Sequence, residues 1–95
     1  MAAVSVIVGY KGSDDAPVMR TSVESSEVVT SSAVSAQSVG VAGENTFWEI
    51  ACATNLWVTF GTNPTAAAGT TFLVFGGSPR QFQARKGDKV AVVDA

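Results

Sequence analysis

Apolar and polar side chains alternate along several short stretches of this chain, and the clearest stretch runs from Leu56 to Phe60. Every second residue there is apolar and falls on one side of an extended backbone, while Trp57 and Thr59 fall on the other. This period of two predicts a half-buried β-strand. Thr46–Ala53 alternates in the same way and predicts a second strand.

Shorter or less regular stretches, rich in β-branched and aromatic residues, predict the remaining strands. They are Val4–Val8, Met19–Glu24, Glu27–Ser32, Ala36–Val41, Thr70–Phe75, a strand that begins at Gln81–Gln83, and Val90–Val93. Glycine, proline and asparagine predict turns at Gly61–Pro64 and Gly76–Pro79. Arg85–Lys89 predicts a charged hairpin turn in which Gly87 takes the positive φ.

No stretch keeps the 3.6-residue period of a helix, so the pattern predicts an all-β protein. Short strands with turn signals every ~8–12 residues are typical of a β-sandwich or a barrel. The 95 residues are enough for one core, and we expect a single domain over residues 1–95. The sequence therefore predicts about eight short strands in an antiparallel β-sandwich or a barrel.

Composition and charge exclude several classes of function. The chain has no histidine, which excludes imidazole-based catalysis and imidazole metal sites, and we expect no cofactor. The net charge of −2 argues against a partner held through phosphates, so we expect no nucleic acid to bind. No apolar run is long enough to span a bilayer, and no basic residue precedes Val4–Val8. We therefore expect neither a membrane partner nor a secretory signal.

The single cysteine, Cys52, cannot form a disulfide within the chain. Its neighbours Ile50–Ala51 and Ala53–Thr54 include no basic residue that would lower the pKa of the thiol. We predict a buried, unreactive thiol, as expected for a protein folded in a reducing cytosol.

The acidic residues include one adjacent pair, Asp14–Asp15, within a run of turn-forming residues. We interpret the pair as part of a solvated turn. A weak calcium site and the two carboxylates of a glycoside hydrolase are the alternatives. Without histidine or a phosphate-binding glycine motif, we predict that the protein is not an enzyme.

The two tryptophans, Trp48 and Trp57, are the best candidates for a binding surface. Tryptophan is common in the cores of small sandwiches, but it is also enriched in protein interfaces, and its ring can stack on a sugar. The sequence leaves core, interface and ligand surface open for both residues. As contributors to core or interface we predict Trp57, Phe75 and Phe82.

The second half of the chain resembles a known group of proteins. The resemblance lies in Leu56–Ala66 (Leu-Trp-Val-Thr-Phe-Gly-Thr-Asn-Pro-Thr-Ala), in Gly69–Thr70 and in Arg85–Val92 (Arg-Lys-Gly-Asp-Lys-Val-Ala-Val). These strand and turn motifs are similar to those of the small, all-β capsid decoration (cement) proteins of tailed bacteriophages. The resemblance covers the chain from Thr46 onward.

The resemblance implies a jelly-roll-like sandwich that binds the outer surface of a capsid and clamps neighbouring subunits of the major capsid protein. It also implies a homodimer or homotrimer that is located in the virion after assembly in the host cytoplasm. No catalytic residue is implied. The first strand, Val4–Val8, could pair within its own subunit or with a neighbouring copy.

An alternative function is a head-fibre or tail-associated module that recognises host glycans. In that case Trp48, Trp57 and the Asp14–Asp15 loop would form the sugar site. Quenching of tryptophan fluorescence by a sugar would distinguish this alternative from capsid decoration.

Overall fold

The computed structural model describes residues 2–11, 19–44, 46–69 and 72–95. These residues form eight β-strands and no helix, which confirms the all-β prediction. The strands are β1 (Ala2–Lys11), β2 (Met19–Ser31), β3 (Ala36–Gln37), β4 (Thr46–Ala51), β5 (Leu56–Gly61), β6 (Phe72–Val74), β7 (Arg80–Gln83) and β8 (Lys89–Asp94).

The strands form two four-stranded sheets whose neighbours are all antiparallel. Sheet A has the order β2-β1-β4-β7, and sheet B has the order β3-β8-β5-β6. The predicted antiparallel sandwich is confirmed. The first predicted strand, Val4–Val8, lies in β1, which pairs with β2 and β4 of the same chain.

β2 and β3 differ most in extent from their predictions, because tertiary pairing overrides the local pattern. The predicted Met19–Glu24 and Glu27–Ser32 form one strand, β2, since β1 pairs with it on both sides of the serines that separate the two patterns. The predicted Ala36–Val41 shrinks to the two residues of β3. Beyond β3 the backbone N–H groups of Val39 and Gly40 bond to the Glu27 carboxylate instead of to a strand.

The prediction of a hairpin at Arg85–Lys89 is wrong. The strand before it, β7, pairs with β4 in sheet A, whereas the strand after it, β8, pairs with β5 in sheet B. The segment therefore crosses from one sheet to the other. Gly87 does adopt a positive φ of 91°, as predicted, because the turn chemistry is local while the choice of strand partner is not.

The main core lies between the two sheets and is built mostly from β-branched side chains. Its buried members are Val4, Val6, Val8, Val29, Ala42, Trp48, Ile50, Cys52, Leu56, Val58, Val74, Val90 and Val92. The prediction of a buried thiol at Cys52 is confirmed. The alternation along β5 is also confirmed, since Leu56 and Val58 face this core and Trp57 packs on the other side of sheet B.

The outer face of sheet B is partly covered by the loop 62–69. Ala66 of this loop packs against Ala91, Val93 and Trp57, which form a second apolar cluster. The Gln37 side-chain amide holds the loop in place, because its Nε2 donates to Asn63 Oδ1 at 2.8 Å and to the carbonyl of residue 64 at 2.7 Å. Sheet B is thus packed on its inner face and over part of its outer face.

A hydrogen bond between Ser31 and Asp94 joins the two sheets at one end of the sandwich. The buried Ser31 hydroxyl donates to Asp94 Oδ1 and lowers the pKa of that carboxyl below its ordinary value of 3.8. Since the folded-state pKa lies below the unfolded value, this bond stabilises the fold fully above the unfolded pKa. Its contribution is lost as the pH falls through the folded-state pKa.

We therefore expect Ser31→Ala to raise the pKa of Asp94 toward 3.8 and to weaken the dependence of stability on pH below about 4. An NMR titration of the Asp94 carboxyl carbon measures the pKa directly. Ser26→Ala, at an exposed position of the same strand, is the control and should leave the pKa unchanged. An unchanged pKa in Ser31→Ala would contradict the assignment of the shift to this bond.

Candidate interaction surface

Trp57 lies on the outer face of sheet B, at the boundary between covered and exposed surface. In the pairing register it is opposite Val93 on one side and Leu73 on the other. Val93 is buried with Ala66 over it, whereas Leu73 is half-buried in β6, the edge strand. One side of the Trp57 ring thus contacts the second apolar cluster, and the residue as a whole remains half-buried.

Phe75 is the most exposed aromatic residue among those described, with 59% of its surface accessible. It follows β6 directly and comes two residues after Leu73, the spacing that returns a side chain to the same face of a sheet. We call Trp57, Leu73 and Phe75 the aromatic patch. The patch consists of one exposed and two half-buried apolar side chains at the edge of sheet B.

The turn that carries Phe75 is held by hydrogen bonds that its backbone N–H groups donate. Gly76 N donates to Asn55 Oδ1 at 2.8 Å, and Gly77 N donates to the Cys52 carbonyl, also at 2.8 Å. Ser78 N donates to the Phe75 carbonyl at 3.1 Å. Gly77 has a φ of 76°, a conformation that favours glycine. Phe75 is therefore presented on a turn of fixed geometry.

Phe82, the third predicted interface residue, lies in a different environment. It is opposite Trp48 in the β4–β7 register and is half-buried against the main core. Its ring centroid lies 5.0 Å from those of both Phe60 and Phe72. The structure therefore separates Phe82 from the aromatic patch and places it in a row of rings that closes one side of the core.

Arg80 covers this row of rings from outside. Its guanidinium carbon lies 5.3 Å from the ring centroid of Phe72 and 5.1 Å from that of Phe82, within the range of a cation–π contact. Its Nη1 also donates to the Leu73 carbonyl at 3.1 Å. Arg80 thus connects β7 of sheet A to β6 of sheet B.

Trp48 is a core residue and contributes nothing to the surface. Only 1% of its area is accessible, and its ring lies 5.8 Å from that of Phe60. The indole Nε1 is buried and has no hydrogen-bond partner among the described residues. Of the two tryptophans, only Trp57 is available to a partner.

The described residues contain no group of three or more His, Cys, Asp or Glu side chains placed to hold a metal ion. One shallow cleft of about 330 Å³ is lined by Thr54, Asn55, Asp94 and Ala95. The Asp14–Asp15 pair lies outside the described residues. Among the residues that are described, no helix is long and apolar enough to cross a membrane.

Sequence reasoning missed four exposed valines. Val28, Val34, Val39 and Val41 are all strongly or moderately exposed, although valine is usually buried. They belong to the serine- and valine-rich first half of the chain. Apolar and polar residues do not alternate regularly around these valines, and this irregularity is the sequence signal that could have indicated their exposure.

Comparisons of this chain with protein-family models, with curated proteins and with solved structures found no match.

Proposed function

We propose that this protein is a capsid decoration protein of a tailed bacteriophage, which binds the outer surface of the major-capsid shell and stabilises it. The observation that carries the proposal is Phe75, an aromatic side chain that is 59% exposed on a turn of fixed geometry. Exposed aromatic residues that are surrounded by other apolar residues commonly mark protein interfaces. The resemblance of residues 46–95 to cement proteins supplies the class of partner.

The hydrogen-bonded turn at Phe75 suits a protein that works by adhesion. A backbone already held in its binding conformation loses little conformational entropy when a partner covers it. A shell repeats each contact over many equivalent sites, so a modest affinity per copy reinforces the whole assembly. Adhesion of this kind needs a complementary surface and no catalytic group, in agreement with the prediction that the protein is not an enzyme.

We further propose that the sandwich is a jelly roll with its first strand displaced. Three of its antiparallel pairs enclose one another along the chain, as in a long hairpin rolled into two sheets: β3–β8 encloses β4–β7, which encloses β5–β6. A jelly roll has a fourth, outermost pair, which here would join β2 to a strand after β8. β1 pairs with β2 instead and so takes the place of the last strand.

Glycan recognition by a head-fibre or tail module is the alternative, and the position of the tryptophans limits it. A stacking platform needs an accessible ring face, and Trp48 has none. Of the two tryptophans, only Trp57 could therefore serve a sugar site. A panel of glycans that leaves the fluorescence of Trp57 unchanged would count against this alternative.

The role of the aromatic patch in capsid binding can be tested by co-sedimentation of the protein with empty mature capsids from the same source. We expect Phe75→Ser to reduce binding by roughly 30-fold or more, the effect of removing a central interface aromatic residue. Folding should be unaffected, because Phe75 is mostly exposed. Trp57→Ala should also weaken binding, but with some loss of stability from its contact with the second apolar cluster.

Val39→Ser is the matched control, since it removes an apolar side chain that is 84% exposed and lies beside β2, far from the patch. We expect it to bind as the wild type does. Equal binding by Phe75→Ser, Trp57→Ala and the wild type would contradict the role of the patch.

A further inference from the structure

β2 is an edge strand of sheet A. Among the described residues, β2 has a single strand neighbour, β1. An edge strand presents unpaired N–H and C=O groups, and most proteins protect it with lysine, proline or a bulge. The segment Ser25–Ser31 of β2 contains neither lysine nor proline. Two of the usual protections against pairing with another strand are therefore missing from this stretch, and its one charged residue is Glu27.

Only part of β2 is regular. Ser25–Ser31 pairs with Ala2–Val8 without interruption, and the register shifts beyond Val8. A bulge twists a strand and ends its regular pairing, so the usable edge is this stretch of seven residues. Its central residue is Val28, a β-branched apolar side chain that is 68% exposed.

We infer that β2 pairs antiparallel with β2 of a second copy of this chain, about a twofold axis at Val28. This register places Val28 opposite Val28 of the second copy and Ser26 opposite Thr30. An apolar β-branched pair flanked by two hydroxyl pairs is a favourable cross-strand arrangement. The two four-stranded A sheets would then form one sheet across the dimer.

The charges on the edge are compatible with this pairing. Glu27 is the only charged residue of Ser25–Ser31, and it falls opposite Val29 of the second copy rather than opposite another carboxylate. Its own carboxylate is already occupied, accepting from Val39 N at 3.0 Å and from Gly40 N at 2.8 Å. No pair of like charges opposes the contact.

The edge used for pairing lies away from the aromatic patch. β2 and the patch strand β6 are edge strands of different sheets, and the Glu27 contact with Val39 places β2 on the side of β3, the opposite edge of sheet B from β6. The dimer would therefore leave two aromatic patches free. If the proposed function holds, each dimer offers a shell two contacts instead of one.

The register can be tested by disulfide trapping in the full chain. Opposed Cβ atoms lie about 4.5–5.5 Å apart in an antiparallel pair, close enough for a disulfide after small adjustment. We expect Val28→Cys to give a covalent dimer under mild oxidation by glutathione. Ser26→Cys is the control, because the two Ser26 positions would lie four residues apart along the strands, about 13 Å. Wild-type protein shows the background from the buried Cys52.

Sedimentation velocity over a range of concentrations supplies a second readout that needs no oxidation. We expect the wild type to dimerise reversibly and Val28→Lys to dimerise at least tenfold more weakly, because two lysines would meet at the axis. Gln81→Lys adds the same charge at an exposed position of the opposite edge strand and should dimerise as the wild type does.

A wild-type protein that stays monomeric up to millimolar concentration would overturn the inference. So would a dimer that Ser26→Cys traps as efficiently as Val28→Cys. Neither result bears on capsid binding by a monomer, so failure here is distinguishable from failure of the proposed function.

Discussion

Replacing Trp48 with alanine is expected to remove a large part of the stability of the protein. Trp48 is the largest fully buried side chain, and its removal leaves a cavity between the sheets. Such truncations cost about 3–5 kcal/mol, which is comparable to the total stability of many small domains, about 5–15 kcal/mol. Urea unfolding followed by far-UV circular dichroism measures the loss without depending on the tryptophan signal.

Trp48→Phe separates the packing of the ring from its polar group. The phenylalanine ring fills most of the space and removes the buried Nε1–H, which has no partner among the described residues. Leaving such a donor buried costs about 1–3 kcal/mol, so its removal should offset part of the lost volume. We expect a net cost below about 2 kcal/mol. A cost equal to that of Trp48→Ala would contradict this description of the site.

The second large effect is expected at Gly76. A Cβ atom added there would lie 2.4 Å from the Ala53 carbonyl oxygen and 2.9 Å from Thr54 Cα, both of which are backbone atoms. Because backbone cannot rotate away as a side chain can, the turn must shift and the bonds of Gly76 and Gly77 must weaken. We expect Gly76→Ala to cost about 3 kcal/mol, which corresponds to a fall in Tm of roughly 12–24 °C.

Gly61→Ala is the matched control for this prediction. The added Cβ would meet only Pro64 Cβ, at 4.0 Å, which is ordinary van der Waals contact. We expect no loss of stability, or a gain of up to about 1 kcal/mol from the lower entropy of the unfolded chain. Equal melting temperatures for the two variants would contradict the close approach at Gly76. Gly76→Ala should also displace Phe75 and so weaken capsid binding.

The alternation of side chains predicted the strands well because it is a local property. Leu56 and Val58 face the core and Trp57 faces outward, as the period of two required. The pairing of strands depends on residues that are distant in the sequence, so the pattern could not supply it. The turn at Arg85–Lys89 looked like a hairpin, yet β7 and β8 belong to different sheets.

The sequence predicted the candidate site only in part, again because strand pairing depends on residues that are distant in the sequence. Phe75 and Phe82 both lie near glycine or proline turns in apolar surroundings, and nothing local distinguishes them. The register decides their roles, since Phe82 is opposite Trp48 and packs against the core. Phe75 follows Val74, which faces the core, and is itself exposed. The loop 62–69, which packs against Trp57, is likewise held by the hydrogen bond from Gln37 to Asn63, two residues that are 26 positions apart in the sequence.

The measurement that tests the central claim most directly is a binding isotherm of the wild-type protein on empty mature capsids from the same source. Co-sedimentation at increasing protein concentration gives both the affinity and the number of copies bound. A capsid decoration protein should saturate at a fixed ratio to the major capsid protein, and a mixture of host glycans should not compete. Absence of saturable binding, or its loss when glycans are added, would contradict the account.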